Sequence, residues 1–477
     1  MIAKDAATRG LIINGQEIFT DQKFPVLNKA TGETIAEICA ADKAHVDLAV
    51  GTALEKFRQD RLTPYQRYEI LMKTAQLMQE RRDEFARALV MDVGKPIKEA
   101  RIETARAIQV MILSAEEAKR IAGETVPIEA SPGNENKMGF YIRCPIGVIC
   151  CITPFNLPLS LSCHKVGPAI AAGNTVVWKP ASNTPLSAHL LMQALKDAGL
   201  PDGYVNLVYG SGSTVGEWLL EDERIGKYTF TGSSAVGRRI KERSGLRGVS
   251  LELGNNSPNI VHHDADLDHA AKMCSFWGFI NAGQTCVSVQ RILVHEQVKD
   301  AFLEKLAGNA RKLKMGDPFD ETTDLGPMIS LQEAERVKAW IDEAVAQGAR
   351  IVTGGNRNGA FIEPTVLDNV QPEMKVCRQE VFGPVVTVMT YRDLDEAIEL
   401  ANNTDYGLQS GIFTSNINTA MYAVRKLHTG GVIVNNASTF RADLMPYGGV
   451  KNSGIGREGP RYAIEQMTEM KMVVINL

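Results

Sequence analysis

Cys286 is the residue around which a reaction could be built. It sits in FINAGQTCVS, a loop of small residues that leaves a thiol accessible, and a nearby base would turn such a thiol into an attacking thiolate. The plainer reading is a thiol that fills space in a core. Glu252 closes the apolar run VSLEL, and a carboxylate facing an apolar cleft acquires a raised pKa suited to a general base. Paired with a cation, it would be only a strand-end carboxylate. Asn156, in TPFNLP, offers an amide donor to a developing oxyanion, and is also a residue type that routinely caps helices.

Other residues suit an extended phosphorylated ligand. FTGSSAVGRR places Gly232 and Ser233 after a strand and Gly237 early in a helix, where backbone N–H groups can hold a phosphate or simply make a turn. YGSGSTVG, with Gly210, Gly212 and Gly216, is a second turn open to close backbone approach. Lys179 follows directly on the apolar run of VVWKPAS, either as a paired cation or as a snorkelling strand end. Glu380 in QEVFGP can hold ribose hydroxyls or close a turn with Gly383 and Pro384.

These residues need a scaffold, and the apolar pattern supplies one. From Ala44 to about Gly123 the spacing is helical, with one long helix predicted between Pro64 and Gly94. ETVPIEASPGNENKMGFYIRCPIG then reads as a hairpin turning at Pro132, Gly133 and Asn134. After Arg143, short apolar strands alternate with helices: GVICCIT, NTVVWKP, YVNLVYG, KYTFTGS and VSLELG. Such alternation predicts a parallel α/β sheet with ligands at the carboxyl ends of its strands. A second α/β region runs from about Asn255 to 440. The C-terminal MKMVVINL alternates like a strand and is expected to pair with the hairpin of this or another subunit.

Length and composition narrow the function classes. The 477 residues allow two to four domains, and 52 basic against 56 acidic residues give a net charge of −4, with no electrostatic case for nucleic acid or an anionic membrane. Eight Cys without CxxC pairs read as reduced thiols, and Cys150 and Cys151 as core. No leader or spanning segment is visible, so a cytoplasmic protein is expected. His262, His263 and His269 cluster with Asp264, Asp266 and Asp268 but lack metal-ligand spacing, and no metal is expected.

Taken together and in order, TPFNLP, VVWKPAS, FTGSSAVG, LELG, GQTC, EVFGP and PYGGVKNSGIGREG resemble the aldehyde dehydrogenase superfamily over nearly the whole chain. The resemblance implies three units: an NAD(P)-binding, Rossmann-like domain from 1–123 and 143–253, a catalytic domain from 254–440, and a small β oligomerisation domain from 124–142 and 460–477, joining a homodimer or homotetramer. It implies Cys286 as nucleophile, Asn156 with the Cys286 backbone N–H as oxyanion hole, and Glu252 as the base for the hydrolytic water. It also implies a cofactor site from Thr153, Pro154, Phe155, Lys179, Ser182, Gly212, Gly216, Thr231, Gly232, Ser233, Val236, Leu253, Gly254, Glu380 and Phe382, for NAD ahead of NADP. His164, Thr285, Arg441 and Tyr447 are implied to meet the aldehyde substrate. Acyl transfer to coenzyme A generally goes with loss of the LELG glutamate, which is present here.

Three departures matter. LELGNN has Asn255 where a second Gly is usual, a position Asn tolerates if φ is positive. Phe155 replaces the more usual Trp, and Ser182 stands where NAD-strict members commonly carry Glu. If Asn156 opens a helix, Ser160 and His164 share its face, so His164 looks toward the site. An aromatic-lined tunnel would suit apolar aldehydes; here Arg441 and His164 face the substrate, and an Arg unpaired by protein takes a substrate anion as its natural partner. The alternative is a surface pair of Arg441 with Asp443. STFRADLMPYGGVKNSGIGREG resembles lactaldehyde dehydrogenase-like members, which implies a small 2-hydroxyaldehyde such as lactaldehyde or sulfolactaldehyde. A semialdehyde dehydrogenase, a non-phosphorylating glyceraldehyde-3-phosphate dehydrogenase (for which Thr285 replaces an expected Arg) and a non-catalytic relative are the alternatives.

Overall fold

The alternation after Arg143 becomes five parallel strands in the computed structural model, which describes residues 8–477. Residues 1–7, on which part of the reading of the N-terminus falls, lie outside the described residues. In chain order the strands are Val148–Ile152, Thr175–Lys179, Val205–Leu207, Ile225–Thr231 and Gly248–Glu252. In space they run fifth, fourth, first, second, third. Connections therefore leave Val148–Ile152 in opposite directions, opening a crevice between its carboxyl end and that of Ile225–Thr231. The strands are apolar on both faces because helices cover both: Val148, Ile149, Cys150, Cys151, Trp178 and Tyr228 are all buried.

The single long helix expected between Pro64 and Gly94 is two, Pro64–Glu80 and Arg82–Val93. The chain turns at Arg81 among polar neighbours, where a kink loses no apolar contact and no Pro or Gly announces it. Thr63 caps the first helix with Pro64 at its opening position, and Gly94, at φ +81, ends the second.

The second region forms another largely parallel sheet, from Pro258–Val261, Arg291–His295, Thr365–Asp368, Val385–Tyr391, Gln409–Phe413 and Gly431–Val434, with Arg350–Thr353 antiparallel at one edge. It has its own core, around Ile260, Leu293, Val388 and Ile412. The hairpin pairs Glu124–Val126 with Lys137–Pro145. Thr468–Asn476 lies along the whole of Lys137–Pro145 in this same chain, from Thr468 opposite Pro145 to Asn476 opposite Lys137. Met138, Ile142, Met470, Met472 and Val474 of this sheet are exposed.

The chain returns to its first half before that last strand. Gly454–Ile455 pairs antiparallel with Gly248–Glu252, and Ile464 and Met467, in and just after the helix Pro460–Gln466, join the first core. Among the described residues, no helix is long and apolar enough to cross a membrane.

Candidate active site

The two sheets meet with opposite ends. The first contributes its carboxyl ends, Ile152–Asn156, Thr231–Ser233 and Glu252, as the sequence pattern predicts. The second contributes the loops before its strands: Asn255–Ser257 precede Pro258–Val261, Cys286 precedes Arg291–His295, and Glu380 and Phe382 precede Val385–Tyr391.

The loop that carries Cys286 is held in an unusual backbone shape. After helix Leu267–Phe279, three consecutive residues are left-handed: Asn281 at φ +53, Ala282 at +54 and Gly283 at +68. For the non-glycine residues this costs roughly 1–2 kcal/mol each. Side chains hold the shape: Glu99 accepts the Asn281 N–H at 2.8 Å, and the Gln284 amide donates to the Asn281 carbonyl at 3.0 Å while its oxygen accepts the Ile329 N–H at 2.9 Å. A Cβ on Gly283 would lie 2.1 Å from the Gly383 carbonyl oxygen, so only glycine fits there. Cys286 emerges from this loop into a cavity of about 270 Å³ also lined by Thr285, Thr231, Glu252, Tyr447, Arg441 and Arg106. Burial pushes its thiol up to about 12, and the Tyr447 hydroxyl lies 3.0 Å from Sγ.

Glu252 reaches the same cavity with one carboxylate oxygen buried and without a partner. Burial first, and the charge of Glu458 second, hold its carboxyl well above the usual range; Lys165 and Arg441 oppose the rise. Among the described residues no cation pairs with the buried Glu252 oxygen as the strand-end alternative requires.

Asn156 does not cap the helix that follows. The cap of Pro158–Ala171 is Leu157, with no side-chain bond. Instead the main-chain carbonyl of Asn156 accepts from Lys95 Nζ at 2.9 Å and from Asn281 Nδ2 at 3.0 Å, which ties the first sheet's strand end to the Cys286 loop. Lys95 also pairs with Glu103 at 2.5 Å, and Glu103 accepts the Leu159 and Ser160 N–H groups at 3.0 and 3.2 Å, capping the helix from outside. Lys95, Glu99 and Glu103 were not singled out from the sequence. A buried Lys and two Glu one turn apart at a helix start were the available signal.

His164 and Arg441 do meet, at 3.2 Å between Arg441 Nη2 and His164 Nε2. The surface pair of Arg441 with Asp443 does not form, and Arg441 is not unpaired: Nη2 lies 3.2 Å from Glu458 Oε2 and the guanidinium stacks 3.8 Å from the Tyr447 ring centroid. The reason is topological: Tyr447 and Glu458 exchange main-chain hydrogen bonds, which brings Glu458 beneath Arg441. Arg441 keeps a buried Nε without a partner. Glu458 also binds Lys165 at 2.6 Å, and Asp443 turns away to Arg106 at 2.8 Å and His164 at 3.1 Å. Burial, then Arg441, lowers His164 to about 4, so it is neutral at pH 7. For Glu458, burial works upward but the cations Lys165 and Arg441 outweigh it and keep the carboxylate ionised. Arg106, Lys165 and Glu458 are further site residues that sequence reasoning missed.

The crevice of the first sheet offers a dinucleotide buried and unpaired polar groups along its length. Lys179 is buried at the end of its strand, its ammonium donates among the described residues only to the Pro180 carbonyl at 3.3 Å, and burial lowers it to about 8. A buried ammonium so placed suits ribose hydroxyls or phosphate. Ser182 donates to the Gly210 carbonyl at 2.9 Å, and nothing lies within 4 Å of a Cβ built on Gly212 or Gly216. Gly232 donates its N–H to the Glu252 carbonyl, and Ser233 caps the helix Ser234–Arg243 by accepting the Val236 N–H; Val236 itself is exposed. Thr231 Oγ1 is buried without a partner. Thr153 binds Trp178 and Ser162 through its hydroxyl, between Pro154 and the strand end, and Leu253 donates to the Ser453 carbonyl.

Across the crevice, burial raises Glu380 to about 7, against the Asn255 N–H it accepts at 2.9 Å; its other oxygen faces the bare Cα of Gly254. Phe382, at φ +49, packs edge-on to Phe155 with ring centroids 5.7 Å apart. Asn255 does not adopt the positive φ that its place in LELGNN suggested. Its side chain bonds Ser257 at 2.6 Å and its N–H serves Glu380, so the residue replaces a flexible turn by a hydrogen-bonded one. The residues present fit a nicotinamide dinucleotide.

The histidines group differently from their order in sequence. His262 and His263 lie with His295, ring centroids 4.4 to 5.6 Å apart, while His269 binds the Asn435 carbonyl. Among the described residues no three His, Cys, Asp or Glu converge as a metal site.

Residues 18–473 match the Aldehyde dehydrogenase family. The chain is 53% identical to 3-sulfolactaldehyde dehydrogenase of Priestia aryabhattai over 468 residues, 98% of both proteins. It is 43% identical to lactaldehyde dehydrogenase of Methanococcus vannielii over 471 residues, 98% of this chain and all of that one. The crystal structure of aldehyde dehydrogenase 21 from Physcomitrella patens, in complex with the reaction product succinate, superposes with a TM-score of 0.96 at 41% identity, covering 99% of each chain. With its cysteine loop, its two facing sheets and a match over nearly its full length, the chain belongs to the aldehyde dehydrogenase family.

Proposed function

We propose that the enzyme oxidises a small 2-hydroxyaldehyde carrying a singly charged acidic group, of the 3-sulfolactaldehyde kind, to its carboxylate. The observation that carries this reading is the buried Arg441 guanidinium in the wall of the same cavity as Cys286, with an Nε still free. Arg106 lines the cavity as a second cation. The likeness to the Priestia enzyme points the same way.

The nicotinamide, when bound, accepts the hydride; the rest falls to this chain. Cys286 Sγ adds to the aldehyde carbon as the thiol passes its proton to solvent water, and Arg441 favours the thiolate. The Asn156 amide and the Cys286 N–H hold the oxyanion, whose charge expels the hydride and leaves a thioester. Glu252, ionised, takes a proton from water, which attacks the thioester and frees the acid and the thiol. A carboxylate with so raised a pKa is a strong base, so turnover climbs with pH as Glu252 loses its proton. Lys179, Ser233, Glu380 and Phe382 hold the cofactor; NAD is placed ahead of NADP, although Ser182 presents no carboxylate to repel a 2′-phosphate. Segments 1–123 with 143–253, 254–440, and 124–142 with 460–477 act as cofactor-binding, catalytic and subunit-joining units of a homodimer or homotetramer.

A second reading, a longer semialdehyde of the succinic type, draws on the likeness to the moss enzyme. A panel of lactaldehyde, 3-sulfolactaldehyde, succinic semialdehyde and glyceraldehyde 3-phosphate, each with NAD and NADP, tests both. The highest kcat/KM is expected for 3-sulfolactaldehyde. A higher value for neutral lactaldehyde overturns the anionic reading, and a higher value for the four-carbon semialdehyde selects the second.

A further inference from the structure

Arg106, Arg441 and Glu458 line the cavity, and Lys165 and Asp443 stand behind them. Three cations, Arg106, Arg441 and Lys165, meet two anions, Asp443 and Glu458, through contacts of 2.6 to 3.2 Å. Lys95 and Glu103 cancel each other beside them, and Glu99 is turned to the Cys286 loop. The five groups in mutual contact therefore sum to +1, which one negative charge neutralises.

We propose that Asp443 is a specificity residue that admits a singly charged sulfonate or carboxylate and rejects a phosphate monoester. The inference rests on the anionic-substrate reading above and adds to it which anion is accepted. Arg106 lines the cavity, and Asp443 grips it from behind, with Oδ1 2.8 Å from Arg106 Nη2 and 3.1 Å from His164 Nε2. Any acidic group that reaches Arg106 therefore comes within a few ångströms of the Asp443 carboxylate, where little water intervenes. A sulfonate brings one charge at every working pH. A phosphate monoester brings roughly 1.5 to 2 at neutral pH, and the excess has only Asp443 and Glu458 to meet. His164, lowered to about 4, stays neutral and does not blur the count. Asp443 itself stays ionised, because His164 and Arg106 outweigh the burial that opposes its charge. Without Asp443 these groups would sum to +2, the match for a dianion.

The test compares kcat/KM for glyceraldehyde 3-phosphate and for 3-sulfolactaldehyde, each relative to neutral lactaldehyde, in the wild type and in Asp443→Asn. Asn keeps the shape and an oxygen for Arg106. The phosphate-to-sulfonate ratio is expected to rise by about tenfold or more; a ratio that stays within about twofold overturns the proposal. A measurement on the unaltered enzyme guards against a variant that folds poorly: inhibition by glycerol 3-phosphate and by 2,3-dihydroxypropanesulfonate at pH 5.5 and at pH 8. The phosphate sheds its second charge at the lower pH and should gain on the sulfonate several-fold. Glu99 and Glu380, both near 7, also gain charge over this range and disfavour the dianion further, so the same pH comparison in Asp443→Asn, where the shift should shrink, isolates the part that Asp443 supplies. An unchanged ratio overturns the proposal. If instead the wild type shows no preference for 3-sulfolactaldehyde over lactaldehyde, the reading beneath it fails first and is recognised by that result.

Discussion

Two neighbouring parts of the site are built on opposite rules. Around Cys286, Glu252 and Glu380, acids are buried with few partners, and their protons are held above the ordinary range. Beneath Arg106 and Arg441, Glu458 is as deeply placed and Asp443 largely buried, but each touches two cationic or imidazole groups, and both are held below it. Burial is common to both; pairing separates them. Groups that must change protonation are left short of partners, and groups that must keep a charge in place are given more than one.

The comparison breaks most visibly at the sulfur. Cys286→Ala should lower turnover by about a thousandfold or more while fluorescence titration shows cofactor still bound; turnover near the wild type would remove Cys286 from the chemistry. Lys95→Met is next, because it strips a fully buried partner from Glu103 and lets go of the Asn156 carbonyl. A loss of about 3–5 kcal/mol in denaturant unfolding is expected, and Lys95→Met with Glu103→Gln should recover part of it. A single variant as stable as the wild type would show that the pair is not a strut. Glu252→Gln should slow steady turnover by about a hundredfold or more yet leave a first-turnover burst of reduced cofactor, since only thioester hydrolysis is lost. No burst would place Glu252 earlier in the reaction.

Gentler changes sharpen the contrast. Arg441→Leu should cost about tenfold or more in kcat/KM for anionic aldehydes and far less for lactaldehyde; equal losses would make Arg441 structural. The smallest effect is on stability. Glu380 is raised from 4.5 to about 7 in the folded protein, so the native state binds that proton more tightly than the unfolded chain. Its contribution is present at acid pH and is lost as pH climbs through 7. The cofactor-free enzyme should lose about 1–3 °C of Tm from this group between pH 5.5 and 8, a slope that Glu380→Gln should flatten when followed by scanning calorimetry.

Much of this was legible in the residues themselves. The strands around GVICCIT and VVWKP are runs of apolar residues that only a doubly covered sheet can bury, and their carboxyl ends announce the crevice. The cysteine loop stands out by its small residues. What could not be read is what tertiary packing brings from afar. Glu458 reaches Lys165 across 293 positions, and Lys95 reaches Asn156 across 61; no periodicity links such pairs. Arg441 and Asp443 lie two apart and look like partners, but adjacency in a loop says nothing of direction. The break at Arg81 escaped because polar residues on both sides satisfy the pattern of either one helix or two.

The last strand has a consequence for how the protein is made. Thr468 meets Arg143 across 325 positions, and the strand it begins completes the sheet of the hairpin. At 5–20 residues per second, a ribosome needs on the order of tens of seconds to supply that missing partner. Throughout that interval Lys137–Pro145 presents an open edge bearing Met138 and Ile142, free to zip onto any extended strand within reach. The sheet is thus closed by a strand made long after the edge it covers, and until then that edge depends on shielding to stay unpaired.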